Sequence, residues 1–316
     1  MWKTSRLIGS IAIIFTMIIL AACGGNNDNE GNNNAANEQN NNNNGDLDLG
    51  ETNIALGTDD YVSNTSNTYV AKLLLEDIGY DVDINQTDVG VEYQGLADGT
   101  NDAIVGAWLP TTHKSYWEKD EDKFEKINTV TEDVKLSLTV PEYMEDINSI
   151  EDLRDNTNNI GEDLDWEITG ISPGAGEMEI MENEVMPGYD LEDDWELIES
   201  SGAAMASALG DAIEEERPIV VTLWEPHWTY NEYDLKKLDD PDERFGEPDD
   251  VFSVAGNDFE ENSPAAYQLL ENFSIEQEDT QEIMSDIEGG MDEEEAAQKF
   301  LDENEDLKEE WLEGLE

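Results

Sequence analysis

Two stretches limit what this chain can fold into more than any others: Gly106-Ala-Trp-Leu-Pro-Thr-Thr-His113 and Ile219-Val-Val-Thr-Leu-Trp-Glu-Pro-His-Trp228. Asp102-Ala-Ile-Val105 leads into the first, a short β-branched run that reads as a buried strand ending at Trp108. Each stretch closes an apolar strand with a tryptophan, stops it with a proline two residues on, and carries a histidine close by. In open α/β sheets ligands sit at the carboxyl edge of the strands. Two Trp-x-Pro turns of this kind predict two similar lobes facing one cleft.

From Asn53 onward, short apolar runs alternate with helical periodicity, the pattern of an α/β protein. Asn53–Gly57, Val82–Ile84 and Asp102–Ala107 read as strands. Helices are expected over Thr65–Ile78, stopped by Gly79, and over Val91–Ala97. Val134–Val140 alternates strictly up to Pro141 and reads as a connecting strand, a hinge to the second lobe. There Ser149 caps a turn, Ile168–Ile171 precedes the loop Ser172–Gly176, and a helix runs on to about Gly188. Trp195–Ile198 reads as a strand, Ala203–Glu214 as a helix and Pro218–Leu223 as the strand reaching Trp224. Asp234–Leu238 leads back across a second hinge, and the remainder reads as helical. Ser263-Pro264 opens one helix, Ser274-Ile-Glu-Gln277 has the form of a capping box for another, and Asp292 caps a last Glu-rich pair. The expected boundaries are 51–140 with 234–316 for lobe I, and 141–233 for lobe II.

Ahead of the body, Lys3 and Arg6 precede the apolar run Leu7–Leu20, and small residues lead to Cys23. This is the pattern of a secretory signal peptide over residues 1–22, too short for a membrane span. Leu20-Ala-Ala-Cys23 resembles the lipobox of bacterial lipoproteins, which implies cleavage before Cys23 and acylation of its thiol. Cys23 is the chain's one cysteine, so neither a disulfide framework nor a cysteine-rich metal site can form. Residues 23–50 are rich in Asn and Gly, have little to bury and read as a flexible tether.

Seventy-nine acidic residues face 15 basic ones, a net charge of −64, and losing Lys3 and Arg6 with a leader makes it two charges more negative. Nucleic acid is excluded as a partner, because phosphate binding needs basic patches. Such self-repulsion is tolerable where salt screens it, at a Debye length of about 3 Å in 1 M salt, which points to a halophilic source.

One tryptophan at a strand end usually packs; two in matching turns make a ligand wall an equal reading. Exposed indole faces in a cleft suit a quaternary ammonium, which the ring quadrupole attracts. With His113 and His227 as the only histidines, a His-rich metal site is not expected. His113, beside an aromatic wall, can hydrogen-bond a ligand carboxylate, and His227 orients its own turn. Gly170-Ile-Ser-Pro-Gly-Ala-Gly176 reads as a turn or as a weak anion site. No HExxH or CxxC occurs, and among so many carboxylates no pair singles itself out for acid–base work. No cofactor is expected.

Trp108-Leu-Pro-Thr-Thr-His113, Gly170-Ile-Ser-Pro-Gly-Ala-Gly-Glu-Met178, Ser200-Ser-Gly-Ala-Ala-Met205 and Trp224-Glu-Pro-His-Trp228 together resemble the glycine betaine-binding lipoproteins of ABC importers, from about residue 52 onward. The resemblance implies a periplasmic-binding-protein-like α/β fold: two lobes on two strand hinges, closing like a Venus flytrap. It implies an aromatic cage for the trimethylammonium group, with Trp108 and Trp224 as walls. His113 and the backbone amides of Gly170 and Ile171 would take the carboxylate. Family members often carry a third tryptophan after the first strand; here Tyr61 is the nearest aromatic and is assigned that wall. A lipid anchor at Cys23, the extracytoplasmic face of the membrane, a permease partner and no catalysis follow from the same resemblance. Two alternatives stay open at this stage: a sensor module for the same solutes, and a secreted enzyme acting on choline-like compounds.

Overall fold

The computed structural model describes residues 47–315; the expected leader, Cys23 and the tether up to residue 46 lie outside the described residues. The last residues of the expected tether already belong to the body. Leu47 and Leu49 rest on the main core, and the Leu49 carbonyl accepts a hydrogen bond from Tyr80 Oη at 2.7 Å.

Among the described residues, nine strands form one continuous hydrogen-bonded ladder: β1 (Asn53–Thr58), β2 (Asp81–Gln86), β3 (Ala103–Leu109), β4 (Phe124–Pro141), β5 (Glu167–Thr169), β6 (Glu196–Ile198), β7 (Val221–Glu225), β8 (Leu235–Lys237) and β9 (Asp249–Gly256). The order is β2-β1-β3-β9-β4-β7-β5-β6, with β8 also paired to β4. β4 joins two sheets. Its first part, Phe124–Val134, pairs antiparallel with β9, and Lys135–Thr139 then pairs antiparallel with β7. The parallel set β2-β1-β3 lies on one side of it and the parallel set β7-β5-β6 on the other. The carboxyl ends of β3 and β7 carry Trp108 and Trp224.

Sequence patterning locates most of these elements for plain reasons. All seven residues of β3 are buried, as an uninterrupted apolar run requires. The first helix runs Val62–Ile78 and ends where Gly79 takes φ 115°, in the left-handed region that glycine enters without a Cβ clash. Ser149 caps its turn as expected, in a reciprocal box with Asp152, and the Asp292 side chain accepts from the Glu294 amide.

Three expectations need correction. The segment after Leu238 is not all helical, because β9 lies between β3 and β4 at the centre of the ladder. Ser274 caps nothing: the helix Gln277–Glu288 starts after Glu276, whose side chain makes no cap bond. The strand expected at Val134–Val140 begins ten residues earlier, at Phe124. Asp234–Leu238, the expected way back to lobe I, holds β8, which pairs with Thr139–Pro141, and Leu238 and Phe245 pack in the second core. That core gathers Leu138 and Val140 of β4, Ile168 of β5 and Val220 just before β7, while the larger one gathers the first helix and the C-terminal helices, with Trp311 edge-on to Phe273 at 5.0 Å.

Candidate functional site

The turn after β3 is held from three directions. The Asp249 carboxylate accepts from the Thr111 and Thr112 amides and from Thr112 Oγ1. Trp108 pairs with Val251 across the same β3–β9 ladder. Gly176 presses in from the other side, where a Cβ would stand 1.9 Å from the Thr112 carbonyl oxygen, so only glycine fits. Both Trp-x-Pro turns contain a cis proline peptide, Leu109-Pro110 and Glu225-Pro226.

Both indoles are anchored by the first turn of the helix Val62–Ile78. Trp108 Nε1 donates to Asn64 Oδ1 at 3.0 Å, and Trp224 Nε1 donates to Ser63 Oγ at 3.3 Å. Asn64 Nδ2 in turn donates to the Asp59 carboxylate at 2.6 Å, which fixes the amide orientation that Trp108 needs. Gly106 makes room for this: a Cβ there would come within 2.8 Å of the Asn64 side chain. Tyr61 stands edge-on to Trp224 at 5.4 Å and 82°, and His227 meets the same indole edge-on at 4.7 Å. Aromatic pairs favour this geometry, in which one ring's positive edge meets the other's negative face.

A small cavity lies between them. Tyr61, Trp108 and Trp224 form its aromatic walls. Ser63, Asn64 and Leu136 complete that side, and His113, Ile171 and Glu177 supply the other groups. Both tryptophans are 5 % exposed and His113 4 %.

His113 has a defined protonation state. Its Nδ1 lies 3.2 Å from the Trp108 amide nitrogen, and a backbone N–H can only donate. Nδ1 therefore bears no proton and Nε2 carries it. Burial pushes the imidazole pKa down to about 3, so the ring is neutral at ordinary pH. Its Nε2–H has no hydrogen-bond partner among the described residues, leaving it free to donate to a bound acceptor.

Ile171 and Gly170 differ. The Ile171 amide makes its one bond to Met178 Sδ, at 3.3 Å, and a thioether is a weak acceptor that a carboxylate oxygen displaces readily. The Gly170 amide donates to the Ile198 carbonyl at 2.9 Å, and Gly170 does not line the cavity. Its single amide proton is engaged by the sheet, so the structure does not bring Gly170 to the cavity with Ile171. Of the expected site residues, the cavity brings together Tyr61, Trp108, His113, Ile171 and Trp224. His227 lies behind the wall: its Nδ1 sits 2.8 Å from Thr229 Oγ1, which orients the turn as expected. Gly170-Ile-Ser-Pro-Gly174 also has the Gly-x-Ser-x-Gly spacing of a serine nucleophile, but Ser172 has no hydrogen bond to either histidine among the described residues.

Sequence reasoning missed Ser63, Asn64, Leu136 and Glu177. The available signal for the first two was Ser63-Asn-Thr-Ser-Asn-Thr68, six consecutive small polar residues all buried to 4 % exposure or less. Glu177 is 2 % exposed, and neither carboxyl oxygen has a hydrogen-bond partner among the described residues. Burial pushes it up to about 8; the Leu223 amide beside it pulls the other way without reaching hydrogen-bonding geometry.

Residues 52–303 match the family described as the substrate-binding domain of the ABC-type glycine betaine transport system, OpuAC. The chain belongs to this family. Its members are substrate-binding proteins of transporters and not enzymes. A curated relative, the glycine betaine/carnitine transport binding protein GbuC of Listeria monocytogenes, is 42 % identical over 163 residues; the match spans 51 % of this chain and 54 % of that protein. The chain thus aligns with about half the length of that relative. Lactococcal OpuAC, solved closed and complexed with glycine betaine, is 34 % identical with a TM-score of 0.76, covering 83 % of this chain and 99 % of that one. A choline-binding protein of an ABC transporter, solved with choline, is 26 % identical with a TM-score of 0.76, covering 83 % and 92 %. These likenesses give this OpuAC-family chain the periplasmic-binding-protein-like α/β fold.

Proposed function

We propose that this protein captures glycine betaine, or a closely related quaternary ammonium zwitterion, and delivers it to the permease of an ABC importer. The observation that carries the proposal is one cavity walled by Tyr61, Trp108 and Trp224 into which a neutral His113 presents a free Nε2–H. The ring faces attract a trimethylammonium group without formal charge. His113 and the Ile171 amide take the carboxylate at the other end. The lactococcal relative solved with glycine betaine, and the Listeria relative named for glycine betaine and carnitine, support the same ligand class.

The lipobox-like Leu20-Ala-Ala-Cys23 supports a lipid anchor at Cys23 that holds the body on the extracytoplasmic face. Among the described residues no helix is long and apolar enough to cross a membrane. The net charge of −64 supports a source adapted to high salt, where an imported zwitterion balances osmotic pressure without adding charge. A calorimetric screen of glycine betaine, proline betaine, carnitine, choline and proline in molar salt tests the proposal. A methylated zwitterion should bind best, and the result that sinks the proposal is no saturable heat from any of them.

The sheets on either side of β4 are proposed to act as lobes that close on the ligand. Contacts of the kind a closed state needs run between the helix after the His113 turn and residues 174–179: Tyr116 Oη donates to the Gly174 carbonyl at 2.7 Å, and Ser115 Oγ donates to Glu179 at 2.8 Å. A ligand shifts such an equilibrium by its differential affinity for the closed state. Solution scattering should show a smaller radius of gyration with saturating betaine, and identical profiles with and without it would contradict lobe closure.

A further inference from the structure

Glu177 lines the same cavity and is not needed to hold either end of a betaine. It enters on the helix that Gly176 presses against the His113 turn, and its carboxyl is buried with both oxygens unpartnered. The titratable groups that face it are few. His113 is neutral, with Nδ1 occupied by the Trp108 amide. Tyr61 faces it from the loop after β1, with its phenol held protonated chiefly by burial. Tyr230 faces it from the helix Thr229–Glu232, its hydroxyl 2.9 Å from Thr139 Oγ1, and burial likewise keeps it neutral. Among the described residues neither lysine nor arginine lines the cavity to balance an ionised Glu177.

We propose that Glu177 determines which quaternary ammonium the cavity holds: it stays a neutral acid beside a zwitterion and gives up its proton to pair with a monocation. This rests on the cavity being the quaternary ammonium site proposed above. A buried carboxylate with neither a cation nor a hydrogen bond is strongly disfavoured, so the side chain keeps its proton while the cavity's content is net neutral. A betaine brings its own carboxylate, which repels a second one and preserves that state. A choline-like ligand brings a single positive charge with nothing to balance it. Glu177 then releases its proton to solvent and supplies the counter-charge. The carboxyl's upward shift to about 8 places the exchange in an accessible range.

Linkage fixes the signs. Below the carboxyl's free-state pKa, the form that pairs with a monocation is scarce and grows with pH, so monocation affinity rises by up to about tenfold per pH unit and then levels off. Zwitterion affinity is flat over the same range and falls above it. Calorimetry with choline and glycine betaine on the full chain in molar salt, from pH 6 to 9 and in two buffers of different ionisation heat, counts the protons exchanged. Choline binding should release close to one proton at pH 6 to 7 and tighten by about tenfold or more by pH 8, while betaine releases none. In Glu177→Gln the choline-to-betaine affinity ratio should drop about tenfold at pH 8 and lose its pH dependence. Betaine binding with no proton released on choline binding overturns the proposal, and this proton count needs no variant. A choline-to-betaine ratio unchanged by Glu177→Gln overturns it as well. Binding of neither ligand overturns the function proposed for the cavity, and this inference with it.

Discussion

Trp224→Ala should weaken betaine binding by at least about tenfold, and the double variant with Trp108→Ala by about a hundredfold. A desolvated cation–π contact contributes about 2 kcal/mol, and each 1.4 kcal/mol is a factor of ten in affinity. Trp224 should be the more sensitive position. It is the ring against which Tyr61 stands at 5.4 Å and His227 at 4.7 Å, so its loss also releases the Tyr61 wall. Trp108 is held independently through Asn64 and Asp59. Phenylalanine at either position keeps a ring face and should retain much of the affinity, although it gives up the indole bond to Ser63 or Asn64. Isothermal titration of the alanine and phenylalanine variants checks this. Wild-type affinity in both alanine variants would show that the ammonium group does not sit between these rings.

His113→Ala should weaken betaine by about tenfold or more while changing choline far less, so that the two affinities converge. A hydrogen bond to a charged acceptor contributes about 1.5–3 kcal/mol, and choline has no carboxylate to accept it. At neutral pH and molar salt the wild-type protein should favour betaine by about tenfold, because choline leaves the His113 and Ile171 donors poorly paired, at about 1–3 kcal/mol for an unsatisfied group. Long-range attraction of choline to the acidic body runs the other way, but high salt screens it much more than it screens a closed cavity. The substitution also strips the Trp108 amide of its acceptor, a cost in stability that falls on both ligands alike. The affinity ratio is therefore the quantity to compare. Choline binding as tightly as betaine to the wild type at neutral pH would contradict the carboxylate role.

The parts of the fold that could be read from the sequence were those where hydrophobic pattern and burial agree. β1, β3 and the helix Gly202–Glu214 bury what their periodicity says they should. The Trp-x-Pro turns were legible for the same reason: a large ring at the end of an apolar run has few places to go. β9 was hidden because two of its inward positions hold Asp249 and Ser253, at 3 % and 0 % exposure, which breaks the alternation of a half-buried strand. Asp249 faces inward because it pins the Thr111–Thr112 turn, so the residue that concealed the strand is one the site depends on. The first half of β4 was hidden by register shifts between Lys126 and Val134, which disrupt a period of two.

The missed site residues share a different cause. Ser63 and Asn64 are small polar residues at a helix start, a context that ordinarily means solvent and capping. Here they face the indole nitrogens, which no local pattern encodes. Glu177 was one acid among 79, and only the depth of its burial sets it apart. Gly170 shows the opposite situation. Its motif pointed to a backbone donor, but β6 runs close enough for the Ile198 carbonyl to accept that hydrogen bond.

The cage itself is tested most directly by nuclear Overhauser contacts between the N-methyl protons of bound glycine betaine and the protein, measured in molar salt. The methyl resonance should move upfield on binding under the ring currents, with strong contacts to the indole protons of both Trp108 and Trp224 and to the Tyr61 ring. Saturable betaine binding whose methyl protons contact neither indole would contradict the assignment of this cavity as the quaternary ammonium site.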